Sequence, residues 1–568
     1  MIRLSGLLLA LLFASTTSIP AQSRRDLEDA EVIIEKNREI ILPQKNKVIP
    51  RIPPEPRRPE PSRSLPFSFV NVTPEFKPIP LEIKPTRYRE QPPAGSNEPE
   101  NEIKIGAGNF LSLYGEGQYR YRAGRHVDLL THVYHRSAAR GPIDDENSGN
   151  SLTRLNVSGQ LKKESFTLNN TLGLQRRTIR YYGYPSRIET PSDDEIRVAF
   201  STVSLQTAFE HTGRNTNLEV YNQLNQFFSS DDLTEFTWKP AATLLFNTGE
   251  NQAIGTKLTG LVGSYSPDVA GVSSLSRVLI QAEPFYQRSF GRLSGKAGLR
   301  VAYQNDTLAS EQAFKVFPLL HASYRAADWL TLQAGVDGGI IDNTVRSLSD
   351  DNNFVSQRIV PVHTHQNVRF YFNFDLNLFQ ALNLSAGVAV ESLRYLPFYL
   401  NIVDAPYAFN AVYNRENLSR TNPFLEAGIN LGSGTYLFTR FDYFNYQLPD
   451  HFIAPYHQPE WEWAFNTAVP FGEKLSLEGN ITVLGGIETL ELSPFGVVNP
   501  VPDPDITPSL NIVSLDPVID TRLSLRYAIN SRFTAFLEGL NLLNKENVRY
   551  FNYPSRGFQV LGGMGFTF

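Results

Sequence analysis

Few side chains in this sequence have the chemistry to act as nucleophile, base or metal ligand. The chain holds 9 His and no Cys among its 568 residues. Without cysteine there is no thiolate nucleophile, no disulfide, no Cys-ligated zinc or iron–sulfur cluster and no lipidated N-terminal cysteine. His132 and His135 stand three apart, so on a strand they point to opposite faces and read as interface or lining residues. His363 and His365 share a face if extended, which suits a metal pair, but no third ligand accompanies them at fixed spacing. Acyl transfer would need a Ser, a His and a carboxylate or amide partner brought together. No Gly-x-Ser-x-Gly elbow with matching partners, no phosphate-binding loop and no His-Glu-x-x-His is present. The expectation is a chain that is not an enzyme and holds no cofactor or metal.

The elements that would position such groups have a marked pattern from residue 102 onward. Val368, Phe370, Phe372, Phe374, Leu376 and Leu378 alternate with Arg369, Tyr371, Asn373, Asp375 and Asn377. Ile519, Thr521, Leu523, Leu525 and Tyr527 alternate with Asp520, Arg522, Ser524 and Arg526, and the final run alternates through Phe558, Val560, Met564, Phe566 and Phe568. A period of two gives strands with one apolar and one polar face. Strands of a soluble sandwich usually run about 5–6 residues, whereas a tilted strand crossing a bilayer needs about 9–11. Length therefore favours a membrane barrel over the three or four domains that a prior of roughly 100–200 residues per domain suggests. Composition agrees: hydrophobic residues are 41%, charged 20% and aromatic 12%, which excludes a disordered chain and a coiled coil. With 53 basic against 58 acidic residues there is no cationic excess for tracking phosphates, so nucleic acid is not an expected partner.

Connections supply a second argument. Short turns at 123–125, 159–165, 211–216, 247–252, 290–294, 325–328, 379–383, 431–435, 471–474 and 529–532 alternate with longer stretches at 138–150, 184–195, 265–275, 341–366, 393–421, 446–460, 488–516 and 545–555. Outer-membrane barrels alternate short periplasmic turns with long outer loops in this way. Both termini on the periplasmic side require an even number of strands, and 103–122 is long enough for two strands broken near 109–111. The predicted fold is all-β: a transmembrane antiparallel barrel of about 22 strands, within a range of about 16–22, covering residues 102–568. The apolar face meets lipid, with Tyr and Phe girdles. The polar face lines the lumen with Arg369, Asp375, Arg440, Asp442, Glu478, Asp520, Arg522 and Arg526, as a salt-bridged wall or as a selectivity element. Acidic clusters at Asp144, Asp145 and Glu146, at Asp193, Asp194 and Glu195, at Asp231 and Asp232, and at Asp350 and Asp351 suit divalent cations that bridge lipopolysaccharide, or equally are solvated loop tips.

Ahead of the barrel, Arg3, the apolar run 7–13 and Ala21 before Gln22 read as a signal peptide, residues 1–21. Residues 22–101 hold about 15 of the chain's 38 prolines, which makes the segment extended and unable to build a core. Within it, 26–40 has the pattern of a short helix and 65–72 alternates like a strand that adds to another surface. The localisation expected is the outer membrane of a Gram-negative bacterium, with the Pro-rich segment in the periplasm.

Gly539-Leu540-Asn541-Leu542-Leu543-Asn544-Lys545, Tyr553-Pro554-Ser555-Arg556-Gly557-Phe558 and the terminal Phe568 together resemble the closing strands of TonB-dependent outer-membrane receptors. The resemblance implies that Asn541, Leu542 and Asn544 close the penultimate strand and that Pro554, Arg556 and Gly557 form the next loop. It also implies that Phe566 and Phe568 are the signal read by the barrel-assembly machinery. Such receptors carry a folded N-terminal plug, and the Pro-rich segment cannot make one. The chain thus resembles plug-less, TonB-dependent-receptor-like barrels of Bacteroidota, and Glu31-Val32-Ile33-Ile34 has only the rough pattern of a TonB box. A lumen of this size needs filling, and the expected filler is the tail together with loops rich in Pro397, Phe398, Pro406, Tyr407, Pro494 and Phe495. Two functions stand open: transport of a solute or nutrient across the outer membrane, or a blocked barrel that anchors a periplasmic or lipoprotein partner through its tail. Outer-membrane lipid and lipopolysaccharide are partners in either case.

Overall fold

In a computed structural model of the chain, the described residues are 101–184, 192–230, 233–266, 274–306, 313–378, 381–402, 405–432, 434–491 and 511–568. The signal-peptide and Pro-rich readings, including 26–40, 31–34 and 65–72, lie outside them, as do Asp231, Asp232, Pro494, Phe495 and the side chain of Pro406.

The fold is a closed antiparallel barrel of 22 strands. Twenty-three paired segments make up the sheet; two of them, Thr435–Tyr443 and Asn445–Gln447, are one broken strand, since both pair with Leu418–Gly432. Glu102–Gly108 closes the ring by pairing with Ser112–Ala123 on one side and Gln559–Thr567 on the other. The two-strand reading of 103–122 is met, and the break has a physical cause. Phe110 and Leu111 both take left-handed conformations, at φ 60° and 51°, so the chain reverses within three residues. Strands range from 7 residues at Glu102–Gly108 to 16 at Arg197–Thr212.

Register turns the sequence alternation into two surfaces. In Thr364–Leu378, Phe370 is 53% exposed on the outer face while Arg369 beside it is 5% exposed. The same parity runs round the wall: Phe370 opposes Val336 and Val390, and Arg369 opposes Asp337 and Glu391. Among the described residues no helix is long and apolar enough to cross a membrane.

One rim carries the short turns, where Gly124 and Gly291 supply the positive φ that a tight reversal requires. The opposite rim carries the long connections, with a helix at Val345–Asp351 and hairpins at Pro397–Ile402 with Ala405–Tyr413, Ile487–Glu491 with Asn511–Leu515, and Val548–Tyr550 with Tyr553–Pro554. These fold back into the mouth. The largest buried cluster joins wall residues Ile179, Phe200 and Phe227 to loop residues Val345, Leu348, Tyr399, Phe409, Tyr550 and Tyr553. The largest core is thus a cap across the mouth, while a smaller cluster of Leu261, Leu279, Ala302, Phe317 and Ile340 lies along the wall itself. Each fully buried aromatic or aliphatic side chain there contributes about 1.5–3 kcal/mol.

Candidate functional site

The cap and the charged lumen beneath it form the candidate site. The helix Val345–Asp351 begins at Thr344, whose hydroxyl accepts from the Ser347 amide at 3.0 Å while the Ser347 hydroxyl accepts from the Thr344 amide at 2.8 Å. Its remaining free amides are used to fasten it to the wall: Val345 and Arg346 N–H donate to the Glu235 carboxylate at 2.8 and 3.0 Å. At its other end the Arg177 guanidinium donates to the Ser349 carbonyl at 2.9 Å and pairs with Asp350 at 3.2 Å. Wall residues thus grip both ends of a loop helix.

Aromatic side chains from distant connections close over it. The rings of Phe354 and Tyr553 stack at 3.5 Å, and Phe409 lies 5.6 Å from Tyr550. Their hydroxyls are tied down: Tyr181 donates to the Val355 carbonyl at 2.8 Å, Tyr550 to the Asp351 carbonyl at 2.8 Å and Tyr399 to the Asp351 carboxylate at 2.7 Å. Burial pushes the Asp351 carboxyl above its ordinary value, partly offset by the Tyr399 hydroxyl. His457 sits in the middle. Its Nδ1 lies 2.8 Å from the Tyr399 carbonyl, and its Nε2 lies 3.1 Å from the Phe551 amide. Nδ1 must donate and Nε2 must accept, so the ring is neutral. Burial pushes its pKa down to about 3, against the upward pull of the Tyr399 carbonyl.

The C-terminal motif residues meet at one corner of this rim. Asn541, at φ 45°, donates to the carbonyls of Lys545 at 2.7 Å and Arg556 at 2.8 Å and accepts from the Lys545 amide at 3.1 Å. Asn544 accepts from the Phe558 amide at 2.8 Å, and the Leu542 amide donates to the Thr521 hydroxyl at 2.7 Å. Arg556 is 1% exposed and donates to the Ser148 carbonyl at 2.9 Å; burial lowers its pKa to about 10. Pro554 belongs to the small hairpin with Val548, and its carbonyl accepts from Tyr182 at 3.3 Å. Gly557 lies in the connection that follows. The aromatic terminus is at the other rim: Phe566 packs 5.2 Å from Phe533 and 6.0 Å from Phe568, whose amide donates to the Asn101 carbonyl at 3.1 Å.

The residues expected from the sequence to line the lumen are spread round the wall rather than gathered. Arg369 chelates Asp337; Asp375 accepts from Gln333 at 2.8 Å and Ser385 at 2.7 Å; Arg440 bridges Glu426 at 3.0 Å and Asp442 at 2.7 Å. Glu538 receives Arg136 at 2.7 Å and Arg522 at 2.9 Å, and Glu102 receives Arg526 at 2.6 Å and Lys104 at 3.1 Å. Asp520 stands in register with Thr482, and Glu478 with Ser524. Acidic loop residues have protein partners as well: Asp144 accepts from Tyr184 at 2.5 Å, and Asp193 pairs with Arg180.

Neither histidine pair builds a centre. His132 meets Glu116 at 3.0 Å, whereas His135 meets Thr153 at 2.8 Å in the opposite face, and His363 and His365 are engaged by Arg277 at 3.0 Å and Lys315 at 2.8 Å. Among the described residues no group of three His, Asp or Glu is placed to hold a metal ion. Arg177, Glu235 and His457 were not singled out from the sequence; nothing local distinguishes them, because each acts on a segment more than fifty residues away.

No protein-family model matches this chain, and no curated protein matches it in sequence. Its likeness is to solved structures. The FrpB iron transporter of Neisseria meningitidis (F5-1 variant) superposes with a TM-score of 0.61 at 8% identity, over 84% of this chain and 83% of that one. For the siderophore receptor PirA of Acinetobacter baumannii the TM-score is 0.59 at 9% identity, over 82% and 80%. For the ferripyoverdine receptor of the outer membrane of Pseudomonas aeruginosa it is 0.56 at 10% identity, over 82% and 71%. At these identities the likeness is one of fold: this chain has the barrel architecture of these transport and receptor proteins.

Proposed function

We propose that this chain is an outer-membrane barrel that takes part in taking up a solute or nutrient, in the manner of a TonB-dependent receptor without a folded plug. The observation that carries the reading is a buried cluster in which the barrel's own aromatic connections pack across the mouth, above a wall of paired charges. A permanent open hole of this width would leak, and a wall of ion pairs with no cap would be a porin. In this reading the short-turn rim faces the periplasm, and the Pro-rich segment 22–101 hangs there toward a periplasmic or lipoprotein partner. Phe566 and Phe568 then mark the chain for the barrel-assembly machinery, and the long connections meet lipopolysaccharide and the incoming ligand. No catalytic role is proposed. The receptors of like fold are named for iron and siderophores, and the ligand class here is left at solute.

The packing of connections across the mouth also favours a second reading, a blocked barrel serving as an anchor. Single-channel conductance in planar bilayers separates them, comparing the mature chain with one lacking residues 22–100. Conductance only in the truncated form supports gated transport with the tail as part of the gate. Two closed forms favour the anchor, and two open forms leave a passive pore.

A further inference from the structure

On the outer wall, one row of the barrel breaks the belt of large apolar side chains. Reading across the strands, Gln252 opposes Arg288, Arg288 opposes Gly295, Gly295 opposes Ala322, Ala322 opposes Ala334, and Ala334 opposes Phe372. Ala297 lies one pleat further along the same face. The small residues leave a groove of about 720 Å³ with Phe290 and Phe372 among its walls. Arg288 stands at its edge, three residues from the turn glycine Gly291, and its guanidinium lies 4.2 Å from the centre of the Phe290 ring. No carboxylate among the described residues pairs with it. An arginine directed outward from a barrel is costly at the bilayer midplane and inexpensive near the interface, where it meets headgroup phosphate.

We propose that this groove is a binding site for an anionic phospholipid, with an acyl chain laid along Gly295, Ala297, Ala322 and Ala334 and the phosphate on Arg288. Charge decides the occupant. The wall carboxylates Glu102, Glu283, Glu391, Glu426 and Glu538 are all engaged by lumen-side arginines, so none of them neutralises Arg288 on the outer face. An anionic lipid brings both the apolar chain and the charge. That the lipid comes from the periplasmic leaflet rests on the orientation proposed above; the contact itself does not.

The test is native mass spectrometry of the full mature chain in detergent, titrated with phosphatidylglycerol or with phosphatidylethanolamine. The expected result is preferential retention of phosphatidylglycerol, a loss of about fivefold in its occupancy in Arg288→Gln, and loss of both lipids in Ala334→Phe, which fills the groove. Arg288→Gln alters one outward side chain whose contact is the neighbouring Phe290 ring, so it remains informative if Ala334→Phe fails to fold. Equal retention of the two lipids, unchanged phosphatidylglycerol occupancy in Arg288→Gln, or a dimer in place of the lipid adduct overturns the proposal. Micelle binding is independent of conductance, so the site and the transport reading fail separately.

Discussion

Acid should loosen the cap through His457. Closed, the ring is held neutral between the Tyr399 carbonyl and the Phe551 amide, with its pKa near about 3. When the cap opens, the ring returns to water and to an ordinary value of about 6.5. The closed state therefore has the depressed pKa, and its advantage is complete above about pH 6.5 and is lost progressively as the pH falls toward about 3. At about pH 5 the open state is favoured by roughly 1.5 pH units of protonation, or about 2 kcal/mol, close to a thirtyfold shift in the opening equilibrium. The result depends on the open-state value and hardly at all on how far below about pH 4 the closed value lies. Neighbouring groups set the sign of the remainder. Arg549 also disfavours charging His457, and His363, pushed well below its ordinary value by burial, adds to acid opening. Asp351 is raised by burial and acts in the opposite direction. His457→Gln isolates the imidazole, since a Gln amide can donate to Tyr399 and accept from Phe551 without titrating. Hydrogen exchange of the backbone amides in 397–402, 405–413 and 448–460, corrected for intrinsic rates at about pH 7 and about pH 5, should show about thirtyfold loss of protection in the natural chain and a much smaller loss in His457→Gln. Equal loss in both would refute the reasoning.

Three further outcomes follow from named contacts. Glu235→Ala leaves the Val345 and Arg346 amides without their acceptor and should destabilise the docked helix by about 1–3 kcal/mol, read as faster proteolytic cutting within 342–363 while the barrel band remains folded on an unheated gel. Asn541→Gly keeps the left-handed turn but loses three side-chain hydrogen bonds, whereas Asn541→Ala loses both; the Ala variant should be the less stable by about 1 kcal/mol, measured by the temperature at which the folded band disappears. With cysteines introduced singly, Asp145→Cys should label from outside intact cells and Lys162→Cys should not, and reversed labelling would overturn the proposed orientation.

Much of this architecture is local, and local features are legible in a sequence. Alternation with period two in 368–378 and 519–527 sets which side chains face out, because a strand turns successive side chains to opposite faces whatever it pairs with. Turn residues at 290–294 and 471–474 mark the short rim, and the pause at 109–111 gives the even strand number that closure requires. The motif around Asn541 was recognisable by resemblance, and its physical basis, one side chain holding together residues 541–556, is itself short-range. Tertiary structure alone decided what closes the mouth. Phe354 meets Tyr553, Arg177 meets Ser349 and His457 meets Tyr399 only after the barrel has brought its connections to one rim. Pairing between segments so far apart leaves no periodic trace, since the free energy comes from apolar surface that many other aromatics in the chain could equally bury. The outward Arg288 beside Gly295, Ala322 and Ala334 is of the same kind: four residues unremarkable in sequence become a groove only because register sets them in one row across neighbouring strands.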